Sequence, residues 1–136
     1  MIVAIDIGLK RIGMAVSPDG KIALPIAPIL RKNRNQAAKD VSNALKDREA
    51  KILVVGLPKG GSSEAEMERR IKHFISLLDF DGQICYENEA YSSLEASDLI
   101  DDKRDGKLDS VAAMIILERF LKSLKTLWHR WANILQ

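Results

Sequence analysis

Apolar residues fill positions 2–5 ("IVAI"), give way at Asp6 and resume at Ile7. A run this short and this rich in β-branched side chains reads as a central strand. "GLKR" closes a tight turn, and "IGMAVS" (12–17) returns as a second strand. "PDG" (18–20) is a hairpin turn leading into a third strand over 21–30. Pro25 and Pro28 place the end of that strand at a sheet edge, because proline offers no N–H to a ladder. The three strands form an antiparallel meander. The period then changes. Ala37, Val41 and Leu45 share one face of a helix over 35–48. A strand at 50–56 follows, then a helix from the capping box Ser63-x-x-Glu66 to about Leu78. "GQICYENE" (82–89) is the fifth strand. Ser92-x-x-Glu95 opens a helix to about Asp101, and a long helix begins near Asp109 after the loop "DDKRDGK". The order β-β-β-α-β-α-β-α-α predicts an α/β fold, a mixed five-stranded sheet with helices on both faces.

Composition narrows the class. A chain of 136 residues, 46% hydrophobic, has the size of one domain with a real core. No segment approaches the ~18 consecutive apolar residues of a membrane span. No basic region precedes a long apolar segment at the start, so no secretory leader is expected and the cytoplasm is the predicted location. The single Cys85 excludes an intramolecular disulfide and a cysteine-based zinc cluster. His73 and His129 are too few and too far apart in the chain for a histidine site. The net charge of +2 is mildly basic. Basic residues cluster in "RKNR" (Arg31, Lys32, Arg34) and "DDKRDGK" (Lys103, Arg104, Lys107), a pattern that solvated loops also show.

Three carboxylates stand where structure alone would not ask for them. Asp6 interrupts an apolar strand, where an unpaired carboxylate costs several kcal/mol. Gly8 lies two residues on, on the same face, and leaves room for a ligand or backbone to come close. Glu87 and Glu89 alternate onto one face at the end of the fifth strand, with Asn88 on the other. Asp109 opens an otherwise apolar helix. With strands one and five as neighbours, Asp6 and Glu89 would face each other beyond the strand ends. Convergent carboxylates repel unless a cation lies between them, and hard oxygen donors suit Mg²⁺ or Mn²⁺. Each residue also has a plainer role: Asp109 as a helix cap, Glu87 and Glu89 as edge residues, Asp6 as a carboxylate held by backbone donors.

"AIDIGLKRIGMAVS" resembles the D-x-G-x-x-x-x-G strand and hairpin that opens RNase H-like proteins. "VVGLPKGGSSE" is similar to the G-L-P loop of the YqgF (RuvX) family of that superfamily. "ENEAYSSLEA" resembles its D-E-R-x-[ST]-[ST]-x-E-A motif, and "GKLDSVAAMIIL" its K-x-D-[SA]-x-A-A-x-I-L motif. The four blocks occur in family order to about residue 120. The resemblance implies a single RNase H-like nuclease domain over 1–136, with an amphipathic helical extension from about 121. It also implies Mg²⁺ or Mn²⁺ as cofactor and nucleic acid as partner: foremost the 5′ end of pre-16S ribosomal RNA, otherwise branched DNA such as a Holliday junction. Ribosomal particles are possible partners. Asp6, Glu89 and Asp109 match the family's catalytic, metal-binding carboxylates. Asn88 stands where the family has Asp, and Ala90 where it has Arg, so Lys10, Arg11, Lys59 or Lys107 would have to supply the missing cation. Gly8, Lys10, Lys59, Ser92, Ser93 and Lys107 are the expected substrate-binding residues. The implied reaction is in-line attack of water on phosphorus, leaving a 5′-phosphate and a 3′-hydroxyl.

Other classes fit less well. "GLPKGGSS" has the first glycine spacing of a nucleotide-binding P-loop, but Ser62 follows Gly61 where that motif needs Lys. Actin-like ATPases and sugar kinases share the D-x-G hairpin but need two such domains. A non-catalytic RNA- or ribosome-binding module with a degenerate site is the remaining alternative. In the tail, Leu117, Leu121, Leu124, Trp128, Trp131 and Leu135 recur as a heptad-like seam. Packing of this seam on its own domain is the expected role, ahead of self-association and of binding at a membrane surface. The chain is predicted to be a monomer or a homodimer.

Overall fold

The opening apolar run folds as β1 (Ile2–Ile7), paired antiparallel with β2 (Arg11–Ser17) from Ile2 opposite Ser17 to Ile7 opposite Ile12. The structure, a computed structural model, describes residues 1–59, 61, 63–88 and 107–135. The helix expected over 92–101 lies outside the described residues. β3 (Leu24–Leu30) follows on the outer side of β2, an edge strand as its two prolines require. It begins at Leu24, later than the predicted residue 21. Asp19 accounts for the delay: its carboxylate accepts the N–H groups of Lys21 (2.8 Å) and Ile22 (3.0 Å), holding them in the turn. Gly20 supplies the left-handed backbone of that turn, with φ 75°.

β4 (Ile52–Leu57) pairs parallel with β1, and β5 (Gln83–Asn88) parallel with β4. The sheet is mixed, in the order β3-β2-β1-β4-β5. α1 (Arg34–Asp47) and α2 (Glu64–Ser76) cover one face. Val3, Ile5, Leu53 and Val55 meet Val41, Leu45, Ile71 and Phe74 there. α3 (Lys107–Leu135) covers the other face, where Ala4, Ala15 and Val54 lie under Ala113, Ile116 and Leu117. The small alanines let that helix sit close to the sheet.

The two sequence signals for helix starts differ in outcome. α1 carries a capping box: Asn33 Oδ1 accepts the Gln36 N–H (2.7 Å) and Gln36 Oε1 accepts the Asn33 N–H (3.2 Å). At α2 the predicted box does not close. Ser63 stands at the cap with φ −104° and ψ 19°, away from the extended backbone that lets a cap side chain reach forward, and makes no capping bond. Glu66 holds Arg70 instead, at 2.7 Å.

Among the described side chains of the tail seam, two are packed. Leu117 and Leu121 are buried, whereas Leu124 is 40%, Trp128 72% and Trp131 61% exposed. Packing on its own domain therefore ends near Leu121, because the helix runs past the last sheet residue it can cover. Among the described residues, no helix is long and apolar enough to cross a membrane.

Candidate active site

Alternation along β1 sends Val3 and Ile5 towards α1 and α2, and Ala4 towards α3. Asp6 follows Ala4 in this alternation, so the odd carboxylate sits on the α3 face, half-buried, opposite Gly13 at the C-terminal end of β1. One expectation needs correction. β1 and β5 are not neighbours, because β4 runs between them. β4 is buried along almost its whole length, as a parallel strand covered on both faces must be, and takes the interior position.

The interposed strand brings no side chain at the level that matters. Ile5 pairs with Val55, and Val55 with Tyr86. One step further along the sheet are Asp6, Gly56 and Glu87, with Gly56 and Glu87 paired directly. Two strand spacings separate Asp6 from Glu87, about 10 Å between Cα atoms, and glycine puts no side chain between them. Glu87 lies on the same face as Cys85, towards α3. Burial holds its carboxyl above the usual carboxylate range, and the Arg119 guanidinium offsets only part of that rise. Glu87 thus lies on the row of Asp6.

Arg119 is the residue that sequence reasoning missed. From α3 its Nη1 donates to the carbonyl of Asn88 at 3.0 Å, placing a cation at the end of β5 beside Glu87. Its signal was available: it is the only basic residue in "VAAMIILERFL" (111–121). A lone cation in a core-facing helix needs an anion or a carbonyl within reach.

The other predicted residues are placed unevenly. Glu89, Ser92 and Ser93 lie outside the described residues. Lys107 and Asp109 belong to the first turn of α3. Next to them, the Ser110 hydroxyl donates to the Ile26 carbonyl at 2.6 Å. Ile26 pairs with Met14, and Met14 with Ile5, so α3 starts on the sheet row adjacent to Asp6. Lys10 is exposed at the β1–β2 turn. Lys59 Nζ lies 3.5 Å from Glu64 Oε1, a half-exposed pair that is weak and easily exchanged. At Gly8 the approaching group is backbone: an added Cβ would meet the Arg11 carbonyl oxygen at 2.7 Å.

Among the described residues, no three His, Cys, Asp or Glu side chains gather closely enough to hold a metal ion. Asp6 and Glu87 supply two carboxylates on one face, and α3 carries Asp109 to the same end of the sheet. Carboxylates alone, without soft or imidazole donors, suit a hard divalent cation. The fold and the donor set thus fit an acid-lined site at strand ends, of the kind that binds an ion and a charged substrate together.

Solved structures define the fold class. RuvC of T. thermophilus, in complex with Holliday junction substrate, matches with a TM-score of 0.58 at 11% identity, covering 93% of this chain and 97% of that one. The Holliday junction resolvase of fowlpox virus matches with a TM-score of 0.54 at 18% identity, covering 90% and 98%. The chain has the RNase H-like resolvase fold. The family model described as "RuvX: Holliday junction resolvase" matches residues 1–123, and the chain belongs to that family. A relative from Campylobacter jejuni subsp. doylei is 56% identical over 125 residues, covering 90% of this chain and 97% of its own. Another, from Sulfurovum sp., is 58% identical over 122 residues, covering 87% and 95%. Both carry the name "Putative pre-16S rRNA nuclease".

Proposed function

We propose that this chain is a divalent-metal-dependent phosphodiester hydrolase that trims the 5′ end of pre-16S ribosomal RNA in the cytoplasm. The observation that carries this reading is Asp6 at the end of an apolar strand, on one row of the α3 face with Gly56 and Glu87. The names of the two relatives point to the RNA substrate. Asp6, Glu89 and Asp109 would hold Mg²⁺ or Mn²⁺, whose charge activates water and stabilises the leaving oxygen of a phosphodiester. Asp6 fixes the position of the site, because its backbone is paired with Gly13 in the ladder between β1 and β2. Glu87 adds negative charge on the same row. Arg119 balances part of it and ties α3 to the end of β5. Lys10, Lys59 and Lys107, with the backbone at Gly8 and the hydroxyls of Ser92 and Ser93, would grip the phosphates around the scissile bond. The whole of 1–136 acts as one domain, with the extension from about 121 outside the catalytic unit.

The test is cleavage of an RNA carrying the pre-16S 5′ extension, with Mg²⁺, with Mn²⁺ and with excess chelator. Asp6→Asn, which keeps shape and removes charge, is expected to lower the rate more than about 100-fold, beyond the usual loss from disturbing a residue behind the ligands. Cleavage by Asp6→Asn at the wild-type rate, or undiminished cleavage in chelator, overturns the reading.

A second substrate has its own support, since the family description and both solved neighbours concern Holliday junctions. A four-way DNA junction in the same assay separates the two. Faster, Asp6-dependent cutting of the junction than of the RNA would make branched DNA the substrate. Tight binding of either without cutting would leave a binding module.

A further inference from the structure

The face of the sheet opposite Asp6 carries a second charged feature. Between α1 and α2, at the end of β1, lies a hollow of about 540 Å³ with Ile71 and Phe74 in its wall. Arg31, Arg34, Arg69, Arg70 and His73 line it, and none of its lining residues is acidic. Sequence reading assigned "RKNR" to a solvated loop. Folding instead sets Arg31 and Arg34 across from two arginines of α2.

Among the described residues, little offsets this charge. Arg31 is half-buried; its Nη1 donates to the Gly8 carbonyl at 2.7 Å and its guanidinium lies 5.5 Å from the Phe74 ring centre. These contacts fix the cation without neutralising it. Arg34 Nη1 lies 3.4 Å from His73 Nε2, which is no counter-charge. Arg70 has an ion pair with Glu66, but both side chains are largely exposed, at 70% and 54%. Among the described residues, Arg69 makes no ion pair. Like charges gathered this closely repel each other and cost stability. A ligand bearing repeated negative charge relieves that repulsion, and the planar guanidinium fork matches phosphate oxygens best.

We propose that this hollow binds the phosphodiester backbone of the nucleic-acid substrate beyond the scissile bond, on the other side of the β1–β2 turn. Gly8 lines the hollow and stands two residues after Asp6, so their Cα atoms are at most about 7.6 Å apart. A strand lying across the turn therefore meets carboxylates on one side and arginines on the other. The hollow holds the chain while the acidic site acts on it. Its charge comes from the guanidinium groups of Arg31, Arg34, Arg69 and Arg70, which suit phosphate oxygens, and phosphate contacts position a nucleic acid without reading its sequence. This proposal builds on the nuclease reading for the identity of the ligand only.

The experiment uses the full chain with Asp6→Asn and a fluorescent RNA stem with a single-stranded 5′ extension. Affinity is followed by anisotropy as NaCl is raised. Adding Arg34→Ala and Arg69→Ala is expected to weaken binding at low salt at least about tenfold and to flatten log K against log[salt] by roughly 1.4–1.8, since each lost phosphate contact removes about 0.7–0.9 from the slope. Arg34→Lys with Arg69→Lys should restore most of the slope, because charge governs it. Lys46→Ala, at the far end of α1, should leave it alone. An unchanged slope in the double alanine variant, or an equal loss with Lys46→Ala, overturns the proposal. Failure of the nuclease reading looks different: wild type and Asp6→Asn would cut alike, whatever the arginine variants bind.

Discussion

At Gly8 the chain turns so tightly that its N–H donates to the Arg11 carbonyl at 3.0 Å, with no space for a Cβ beside that oxygen. The crowding atom belongs to backbone, so it cannot swing aside as a side-chain end would. Gly8→Ala must therefore open the β1–β2 turn. The expected cost is about 1–3 kcal/mol, or a fall of about 3–9 °C in the thermal midpoint. Calorimetric melting checks it, and an unchanged midpoint would mean the turn relaxes freely. The residue scale is where sequence reading worked best and also where it was narrowest. Asp6 was legible, because a carboxylate inside an apolar strand is an anomaly in any context. Gly8 was legible only as a need for space, since sequence cannot say which group takes it. Arg119 went unread, because its meaning depends on where the end of β5 lies in space.

Helix starts show how local chemistry and backbone geometry share the work at the level of elements. Asn33 and Gln36 close a reciprocal box on α1, whereas Ser63 and Glu66 have suitable side chains on an unsuitable backbone. Asn33→Ala should cost about 1 kcal/mol. Ser63→Ala breaks no capping bond and should fall within the ±0.5 kcal/mol or so typical of surface changes. Urea unfolding of the two variants gives the comparison, and equal losses would contradict the geometry. Strand assignments were legible because alternation and turn residues are written in neighbouring positions. The lateral order of the strands was not. Whether β5 lies beside β1 or beyond β4 depends on crossovers that local pattern does not encode. The register of β4 against β1 and β5, equally unwritten in local pattern, puts Glu87 on the row of Asp6.

On the scale of the whole molecule, a net charge of +2 conceals a division of labour. Asp6 and Glu87 lie on the α3 face at the strand ends, arginines on the α1–α2 face at the same end, and the average of the two says almost nothing. The cores are divided likewise, with large aliphatics under α1 and α2 and alanines under α3. α3 serves the second core only as far as Phe120 and Leu121, each 9% exposed. The family match ends almost there, at residue 123. Cutting the chain after Arg119 removes both side chains from the core and should cost several kcal/mol, as large buried truncations do. Cutting after Ser123 removes a row in which Leu124, Leu127, Trp128, Trp131 and Ile134 are all exposed, so the loss should be under about 1 kcal/mol. The two truncations, unfolded in urea side by side, therefore measure where the domain ends. Losses of equal size would mean that the exposed row is covered in solution, and light scattering of the full chain would then report twice the monomer mass. With a small loss after Ser123, the catalytic unit is complete without the tail, and Asp6-dependent cleavage should survive its removal.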